Sequence, residues 1–343
     1  MKALVYEKPG RANAAIKEIA MPACGDNQVR IRVKACGICK PAELSHDNNG
    51  SVLGKYPATP GHELSGEVES IGKNVKTIKI GDRVTVDNGV PCGKCYFCKI
   101  GKPYFCENFG SMGHNLQGGM AEFLVADETK VYKLPENVSY DEGALSELIG
   151  CCLRAVERSN VSCGDTVLVI GAGASGNILT QLYLAMGTTK VAVIDYVESK
   201  LDILQRKGAV GYLLKHGEED AVLKKIKADY PHGLDIIVDA CGITSFTEKA
   251  MGLLLKKGGT YVGYSFPKDK ASFELPTANF IVNEWTYVGS TFNSEFEKCL
   301  ELISAGRIDC KCVITGHYDL EHYFDALDEN VKNEHSIKVI IHP

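Results

Sequence analysis

The sequence predicts an α/β protein in which a β-rich region precedes a doubly wound parallel sheet. Three observations support this fold class. An early segment alternates apolar and charged residues, the second half alternates short apolar runs with helical segments, and a glycine-rich turn joins the first such run to its helix. The 343 residues, of which 45% are hydrophobic, are enough for two domains.

The β-rich character of the first half follows from short segments with strand periodicity. The segment VRIRVKA at residues 29–35 alternates aliphatic residues with arginine and lysine, which is the pattern of a half-buried strand. Leu64–Ser70 and Arg83–Val86 predict further short strands, separated by turns that contain glycine and asparagine. We therefore expect residues 1–151 to form the first domain.

The pattern changes at Thr166–Ile170, where TVLVI is a continuous apolar run typical of a parallel strand covered on both faces. Segments such as LTQLYLAMG and ESKLDILQRKG then provide crossover helices between strands. The further predicted strands are Lys190–Ile194, Gly211–Leu213, Ile236–Asp239, Thr260–Tyr264 and Thr286–Thr291. Residues 152–291 should form the doubly wound domain, and residues 292–343 should add a helix (EFEKCLELISAG) and a final strand (HSIKVIIHP).

Composition argues against several classes of protein. With 38 Lys and Arg against 43 Asp and Glu, the formal net charge is -5, which is unsuited to nucleic acid binding. No apolar run approaches the ~18 residues of a membrane span, and the N-terminal MKALVYEKPGRAN lacks the apolar core of a signal peptide. Fourteen cysteines spread over a long chain do not resemble a disulfide scaffold. We expect a cytoplasmic protein with reduced thiols and a small-molecule ligand.

Four cysteines in PCGKCYFCKIGKPYFC predict a metal site. Their spacing is C-x2-C-x2-C-x7-C, and four thiolates can close a tetrahedral shell around a structural zinc ion. Gly93 and Gly101 allow sharp turns between the ligands. A disulfide pair and chance clustering are the alternatives, and the expected reducing compartment argues against the first. The predicted lobe spans about residues 90–108, with ligands Cys92, Cys95, Cys98 and Cys106.

The turn GAGASG predicts a dinucleotide site because it follows an apolar strand and opens an apolar helix. Gly171 permits the tight turn, Gly173 lets backbone approach a pyrophosphate, and Gly176 lets the helix pack against its strand. Asp195 lies nineteen residues past Gly176, where a carboxylate would bind the ribose hydroxyls of NAD and repel the extra phosphate of NADP. The intervening Ala174 and Ser175 belong to the same loop. A methyltransferase-type nucleotide fold is the alternative.

A second metal set is predicted from Cys39 in ACGICK and His62 with Glu63 in TPGHELSG. A catalytic zinc takes about three protein ligands and keeps one open position. Glu63 could be a direct ligand or an outer carboxylate. Glu147 in ALSELIGCC is the candidate third anchor, and Cys151 is its alternative. Taken singly, each residue could equally be a buried structural side chain.

These motifs together resemble the zinc-dependent medium-chain dehydrogenase/reductase family, which includes alcohol dehydrogenases, and most closely its polyol (sorbitol-like), threonine and butanediol dehydrogenase branch. The resemblance covers essentially the whole chain. Its segments are GIC at 37–39, PGHE at 60–63, GDRV at 81–84, the four-cysteine lobe, GGMAEF at 118–123, SEL at 146–148 and GDTVLVIGAGASG at 164–176. It implies a GroES-like catalytic domain, a Rossmann NAD-binding domain, and a C-terminal return to the catalytic domain.

The resemblance also implies residue roles. Cys39, His62 and Glu147 correspond to catalytic-zinc anchors, with Glu63 beside them. Further cofactor positions are Lys200 beside Asp195 at the ribose, and Cys241, Val262 and Gly263 at the nicotinamide. The expected cofactors are two zinc ions per chain, one catalytic and one structural, and NAD. A homodimer or homotetramer is implied, with 285–291 as the edge strand.

One segment departs from the family pattern, which continues C-x-[Ser/Thr]-Asp-x-His after the zinc cysteine. Here Pro41, Ala42 and Leu44 replace the hydroxyl, carboxyl and imidazole side chains. A one-residue insertion would put Glu43 and Leu44 in the Asp-x positions and leave Ser45 and His46 nearby. The proton could leave through zinc-bound water and Glu63, or through Ser45 or His46, or the substrate could supply its own route. The expected reaction is hydride transfer between a secondary alcohol, in the first place a polyol or sugar alcohol, and NAD.

Other functions remain open at this point. Within the same family, the substrate could be an amino alcohol, a diol or a sugar phosphate. A non-catalytic homologue that keeps the fold and the nucleotide or zinc is the alternative from a different functional class. Counting zinc per chain would separate it from the enzyme.

Overall fold

The computed structural model describes residues 1–50, 53–269, 272–274, 277–293 and 295–343. Its β-strands in chain order are β1 Lys2–Tyr6, β2 Ala14–Glu18, β3 Gln28–Gly37, β4 Glu63–Ile71, β5 Arg83–Val86, β6 Gly89–Val90, β7 Gly110–Ser111, β8 Phe123–Asp127, β9 Val131–Lys133, β10 Thr166–Ile170, β11 Lys190–Asp195, β12 Val210–Leu213, β13 Leu234–Asp239, β14 Leu255–Gly263, β15 Thr286–Gly289, β16 Ile314–Asp319 and β17 Lys338–His342. Its α-helices are α1 Lys40–Asp47, α2 Tyr96–Lys99, α3 Tyr140–Ala144, α4 Ser146–Arg158, α5 Ala174–Ala185, α6 Glu198–Gln205, α7 Glu219–Asp229, α8 Thr244–Leu254, α9 Thr277–Asn283, α10 Phe296–Ser304 and α11 Tyr323–Lys332. Short 3-10 turns occur at Arg11–Asn13, Pro103–Phe105, Glu128–Lys130 and Leu320–His322.

The chain divides by its internal contacts into two compact units. The first comprises Met1–Leu148, Glu295–Ala305 and Val313–Pro343, and the second comprises Ile149–Ser294 and Gly306–Cys312. The division therefore falls after residue 148 rather than after the predicted residue 151. In addition, Gly306–Cys312, a short segment of the predicted C-terminal return, belongs to the second unit. Asp309 explains the last point, because its carboxylate pairs with Lys207 at 2.7 Å and its backbone N–H donates to Gln181 at 2.8 Å.

The first unit is built on a mostly antiparallel sheet with strand order β16-β17-β3-β4-β5-β9, and β8 also pairs with β3. The alternation in β3 works as the sequence predicts. Val29, Ile31 and Val33 are at most 1% exposed, whereas Arg32 between them is exposed. Their burial beside the aliphatic residues of β4 and β5 supplies the apolar core that holds the sheet.

The second unit contains a parallel sheet with strand order β12-β11-β10-β13-β14-β15. Numbered within this unit, the order is 3-2-1-4-5-6, the doubly wound arrangement of nucleotide-binding proteins. Residues 167–170 of β10 are at most 2% exposed, as expected for a strand covered on both faces. The predicted fold class is confirmed. The order reverses between β10 and β13, and ligands bind at such switch points.

The end of the chain returns to the first sheet. β17 pairs antiparallel with β3, placing Ile340 opposite Gly37 and Ile341 opposite Cys36. This pairing brings residues near position 340 to the strand that precedes Cys39, which matters for the site described below. Within the ranges given above, none of the helices has the length and apolar character required to cross a bilayer.

Candidate active site

Three predicted metal ligands meet at one end of β3 and β4. Cys39 follows β3 and stands immediately before α1, His62 precedes β4, and Glu63 begins β4 opposite Gly37. One ligand atom from each of the three lies within 4.8 Å of the others. Glu147, in the first turn of α4, places a carboxylate oxygen 3.9 Å from Nε2 of His62. The structure therefore brings together all four side chains of the predicted catalytic-zinc set.

The electrostatics of this group favour a positive charge. Burial by itself lowers the pKa of His62, but the Cys39 thiol group and the carboxylates of Glu147 and Glu63 outweigh burial and raise that pKa to about 10. A thiolate, an imidazole and a carboxylate that converge in this way are the donor types that zinc takes in proteins. The residues present fit a zinc ion.

Glu63 is engaged in a buried ion pair. Nζ of Lys338 lies 2.8 Å from each oxygen of Glu63 and 3.1 Å from the carbonyl oxygen of Ile38, so all three ammonium protons have acceptors. The two side chains are 4% and 1% exposed. Burial lowers the pKa of Lys338, but the charges of Glu63, Cys39 and Glu147 together outweigh burial, so the pKa is raised overall. A Cβ at Gly37 would lie 2.5 Å from Oε2 of Glu63, which explains the glycine.

A second buried carboxylate, Glu43, faces the same histidine. Glu43 is 0% exposed in α1, and its Oε2 accepts a hydrogen bond from the Tyr323 hydroxyl at 2.9 Å. Burial raises its pKa to about 7 against the opposing effect of His62. Within the described part of the chain, Oε1 of Glu43 and Nδ1 of His62 are both buried without a hydrogen-bond partner. Such a carboxylate is the usual orienting partner of a metal-binding histidine.

The two polar candidates for a proton route are tied up by other contacts. Ser45 donates its hydroxyl hydrogen bond to the carbonyl of Ala42 at 2.6 Å. Nε2 of His46 lies 3.2 Å from the carbonyl of Gly113, and Nδ1 lies 2.9 Å from the Tyr56 hydroxyl. Because only an N–H can bond a carbonyl, Nε2 carries the proton and Nδ1 accepts from Tyr56. Burial also lowers the pKa of His46, which favours this neutral form.

The four-cysteine lobe gathers its thiols as predicted. The sulfur atoms of the four cysteines all lie within 4.8 Å of one another; these residues are Cys92, Cys95, Cys98 and Cys106. The backbone N–H groups of Cys92 and Asn108 point at Sγ of Cys106, at 3.2 and 3.4 Å. The backbone N–H groups of Lys94 and Cys95 lower the pKa of Cys92 to about 6. Four clustered thiols with N–H donors that stabilise thiolates fit a structural zinc ion.

The glycine-rich turn has the backbone of a phosphate site. Gly171 follows β10 with φ 104°, and Gly173 stands at the N-terminus of α5 without a capping side chain. A Cβ at Gly176 would overlap the carbonyl oxygen of Gly171, so the helix can approach its strand only with glycine there. Ala174 and Ser175 form the first helical turn. The uncapped N–H groups of such a turn suit the phosphates of a dinucleotide.

Asp195 ends β11 beside this turn. Its two oxygens accept the backbone N–H groups of Ala172 at 2.6 Å and Val197 at 2.9 Å. A carboxylate has about four acceptor positions, so the bonds orient Asp195 and leave capacity for ribose hydroxyls. The remaining predicted cofactor residues lie in α6 (Lys200), two residues after the end of β13 (Cys241) and at the end of β14 (Val262 and Gly263). The structure thus places them all near the carboxyl ends of the parallel strands or in the helix after β11.

Comparison with known proteins agrees with this geometry. Residues 25–136 match the family model "Alcohol dehydrogenase GroES-like domain", and residues 174–305 match "Zinc-binding dehydrogenase". D-arabinitol dehydrogenase 1 of Uromyces fabae is 30% identical over 346 residues, covering 100% of this chain and 97% of that protein. The chain belongs to the zinc-dependent medium-chain dehydrogenase/reductase family.

Two further comparisons extend over the whole length of this dehydrogenase. Sorbitol dehydrogenase of Halalkalibacterium halodurans is 28% identical, covering 100% of this chain and 99% of its own. A crystal structure of a zinc-binding dehydrogenase from Sinorhizobium meliloti 1021, bound to NADP, superposes with a TM-score of 0.91 at 25% identity and covers 100% of this chain and 99% of that one. The predicted resemblance to the polyol branch is confirmed.

Sequence reasoning did not identify two buried residues of this dehydrogenase that act on the predicted zinc ligands: Lys338 pairs with Glu63, and Glu43 interacts electrostatically with His62. Lys338 lies in HSIKVIIHP, and a single charge in an apolar strand signals a buried partner. Glu43 lies in the altered segment after Cys39, where the sequence pattern predicts no role for it. His114 was also not singled out; its ring centroid lies 4.6 Å from that of His62, and burial, with His62 and His46, lowers its pKa to about 3.

Proposed function

We propose that this chain is a zinc-dependent dehydrogenase that transfers hydride between a secondary alcohol of a polyol and NAD. The observation that carries the proposal is the proximity of both Cys39 and Glu147 to His62, in a chain that also contains the glycine-rich turn expected of a dinucleotide site. The D-arabinitol and sorbitol dehydrogenases to which it is similar support polyols as the substrate class.

Cys39, His62 and Glu147 are the side chains that would hold the catalytic zinc ion. Glu63 is better suited to the outer shell because Lys338 already occupies both of its oxygens. When bound, zinc supplies a Lewis acid that lowers the pKa of an alcohol, and NAD supplies the acceptor for hydride. Glu43 would accept the Nδ1 proton of His62, which holds the imidazole in the tautomer that a metal needs.

Asp195 would select the coenzyme. Its carboxylate is fixed by two backbone N–H groups, so it cannot easily turn away from a phosphate on the ribose. A negative side chain in that position disfavours NADP by charge repulsion and favours NAD by hydrogen bonding. We therefore propose NAD as the preferred coenzyme.

The contacts of Ser45 and His46 favour water as the proton acceptor. Both hydrogen-bonding groups of His46 are engaged, and the Ser45 hydroxyl bonds its own helix. A water molecule could accept the proton directly, so the reaction would not need the side-chain hydroxyl that is absent at Pro41.

We further propose a cytoplasmic homodimer or homotetramer. The 14 cysteines are spread over a long chain, which is unlike the disulfide scaffold of a short secreted protein and supports a reducing compartment. β15 lies at the edge of its sheet and is available for pairing with a second copy. Sedimentation of the purified chain would test the assembly, and a monomer would refute it.

A substrate panel with a metal count tests the enzymatic proposal. Sugar alcohols, diols, amino alcohols and sugar phosphates would be offered with NAD, and reduction followed by absorbance. We expect turnover of a sugar alcohol and two zinc ions per chain. Preference for a sugar phosphate would show that the substrate class is sugar phosphates and not sugar alcohols. One zinc ion and no turnover of any class would support a non-catalytic homologue.

Glu147→Ala is the decisive variant, and Glu157→Ala, an exposed glutamate on the same helix, is its matched control. Glu147→Ala should lose one zinc ion and its activity while the four-cysteine zinc remains. Unchanged zinc content and turnover in that variant would show that another residue is the ligand.

A further inference from the structure

A third group of metal-binding side chains lies outside the site described above. His317 on β16, His342 on β17 and Asp141 on α3 place one donor atom each within 4.8 Å of one another. Across the described ranges, the same spacing of donors recurs only in the four-cysteine lobe and in the group of Cys39, His62 and Glu63. Both of those groups coincide with the zinc sites proposed above.

The fold holds the three side chains in place. β16 and β17 are paired in parallel, with His317 opposite Ile340 and Asp319 opposite His342. Residues two positions apart on a strand share a face, so both imidazoles lie on the same face of the sheet. Asp141 lies in the first turn of α3, whose N-terminus is fixed by a capping box between Ser139 and Glu142.

The separations match those between ligands of one ion. Nδ1 of His317 lies 3.3 Å from Nε2 of His342, and each nitrogen is 3.5 Å from one oxygen of Asp141. Zinc bonds to nitrogen and carboxylate oxygen are about 2.0–2.2 Å long, so two such bonds at the tetrahedral angle span about 3.4 Å. Two imidazoles that only hydrogen-bond to each other share one proton between them. Such a pair does not require a carboxylate close to both rings.

We propose that His317, His342 and Asp141 form a third divalent-metal site, suited to zinc. Two imidazoles and one carboxylate favour zinc, cobalt or nickel over magnesium and calcium, which prefer oxygen ligands alone. The side chains of His317, His342 and Asp141 are 53%, 41% and 27% exposed, so an ion can enter from solvent and keep a water ligand. A bound ion would tie the last residues of the chain to β16 and α3.

Metal titration of the tag-free holoenzyme tests this site. The enzyme, already carrying its tightly bound zinc, would be titrated with Zn²⁺ by calorimetry. The variants are His317→Ala, His342→Ala and Asp141→Asn, and His322→Ala, an exposed histidine of the same unit, is the matched control. We expect one additional equivalent in the wild type and in the control. Each ligand variant should bind it at least about tenfold more weakly, with alcohol dehydrogenation unchanged in all of them.

Cobalt provides a second readout that identifies the ligands. Co²⁺ bound to thiolates shows intense near-ultraviolet charge-transfer absorption, whereas a site of two imidazoles and a carboxylate shows only weak visible bands. We expect the additional Co²⁺ to show only the weak bands, and these should disappear in His317→Ala. A thiolate band, an equal additional equivalent in His317→Ala and wild type, or no additional equivalent at all would each overturn the proposal.

Discussion

The buried pair between Lys338 and Glu63 makes a strong prediction about stability. Lys338→Met keeps most of the length and apolar stem of the side chain and removes the ammonium group. The change abolishes three hydrogen bonds of 2.8, 2.8 and 3.1 Å and leaves the Glu63 carboxylate, 1% exposed, without its cation. Breaking a buried ion pair in this way costs about 3–5 kcal/mol. We expect a loss of that size in the free energy of unfolding.

A double-mutant cycle separates the pair from other effects. Glu63→Gln leaves the lysine uncompensated and should cost a similar amount. In the double variant Lys338→Met/Glu63→Gln neither member of the pair is charged, so the loss should fall to the ~1–3 kcal/mol of an unsatisfied polar group. The coupling energy, which is the sum of the two single losses minus the loss in the double variant, should therefore be at least about 3 kcal/mol. Lys332→Met removes a lysine that is 73% exposed and pairs with Asp328 on the same helix, and it should change stability by less than about 0.5 kcal/mol.

Unfolding in urea, followed by two probes at equal zinc content, provides the assay. Trp285, the chain's one tryptophan, belongs to the second unit, whereas Lys338 belongs to the first. The unfolding transition followed by far-ultraviolet circular dichroism should therefore begin at a lower urea concentration in Lys338→Met than in wild type. The midpoint followed by tryptophan fluorescence should shift less. A loss below about 1 kcal/mol in Lys338→Met, or additive losses in the double variant, would refute the buried pair.

Three more predictions concern the cofactors and pH. Asp195→Ala should lower the ratio of kcat/KM with NAD to kcat/KM with NADP by more than about tenfold, and an unchanged ratio would contradict coenzyme selection by this residue. Glu43→Gln should weaken zinc binding about tenfold or more in chelator competition, because the orienting carboxylate of His62 is lost; equal affinity would exclude that role. Glu128, whose carboxylate accepts hydrogen bonds from Thr77 and the backbone, has its pKa lowered to about 2. Its stabilisation is therefore present at neutral pH and lost as the pH falls from about 4 towards 2, so Glu128→Gln should be less stable than wild type at pH 7 and should match it near pH 2 in thermal unfolding.

The parts of the fold that could be predicted are those encoded by local patterns. The apolar run of β10 was predicted with its bounds because residues 167–170 are continuously apolar and are flanked by Thr166 and Gly171. The turn from Gly171 to Gly176 was predicted because its backbone tolerates few other residues. The cysteine lobe was predictable since its ligands lie within fifteen residues of one another.

The contacts around the zinc group could not be predicted, because they depend on pairing between distant segments. Glu63 and Lys338 are separated by 275 positions, and only the pairing of β17 with β3 brings them together. Glu43 and Tyr323 are separated by 280 positions and meet where α1 contacts α11. A single sequence does not identify such partners. A lone lysine in an apolar strand indicates only that a buried partner is needed, and not which residue it is.

The charge balance of the site explains why two glutamates next to one histidine can have different roles. A Zn²⁺ ion held, as proposed, by the thiolate of Cys39 and the carboxylate of Glu147 would be neutralised by those two ligands. Glu63 brings a further negative charge, and Lys338 cancels it at 2.8 Å from both oxygens. If Glu63 bound the metal instead of Glu147, the ammonium of Lys338 would face the ion with its partner withdrawn, and a buried cation would lie uncompensated beside another. The ion pair therefore favours Glu147 as the ligand and gives Glu63 the task of holding β17 against the zinc-binding end of β3.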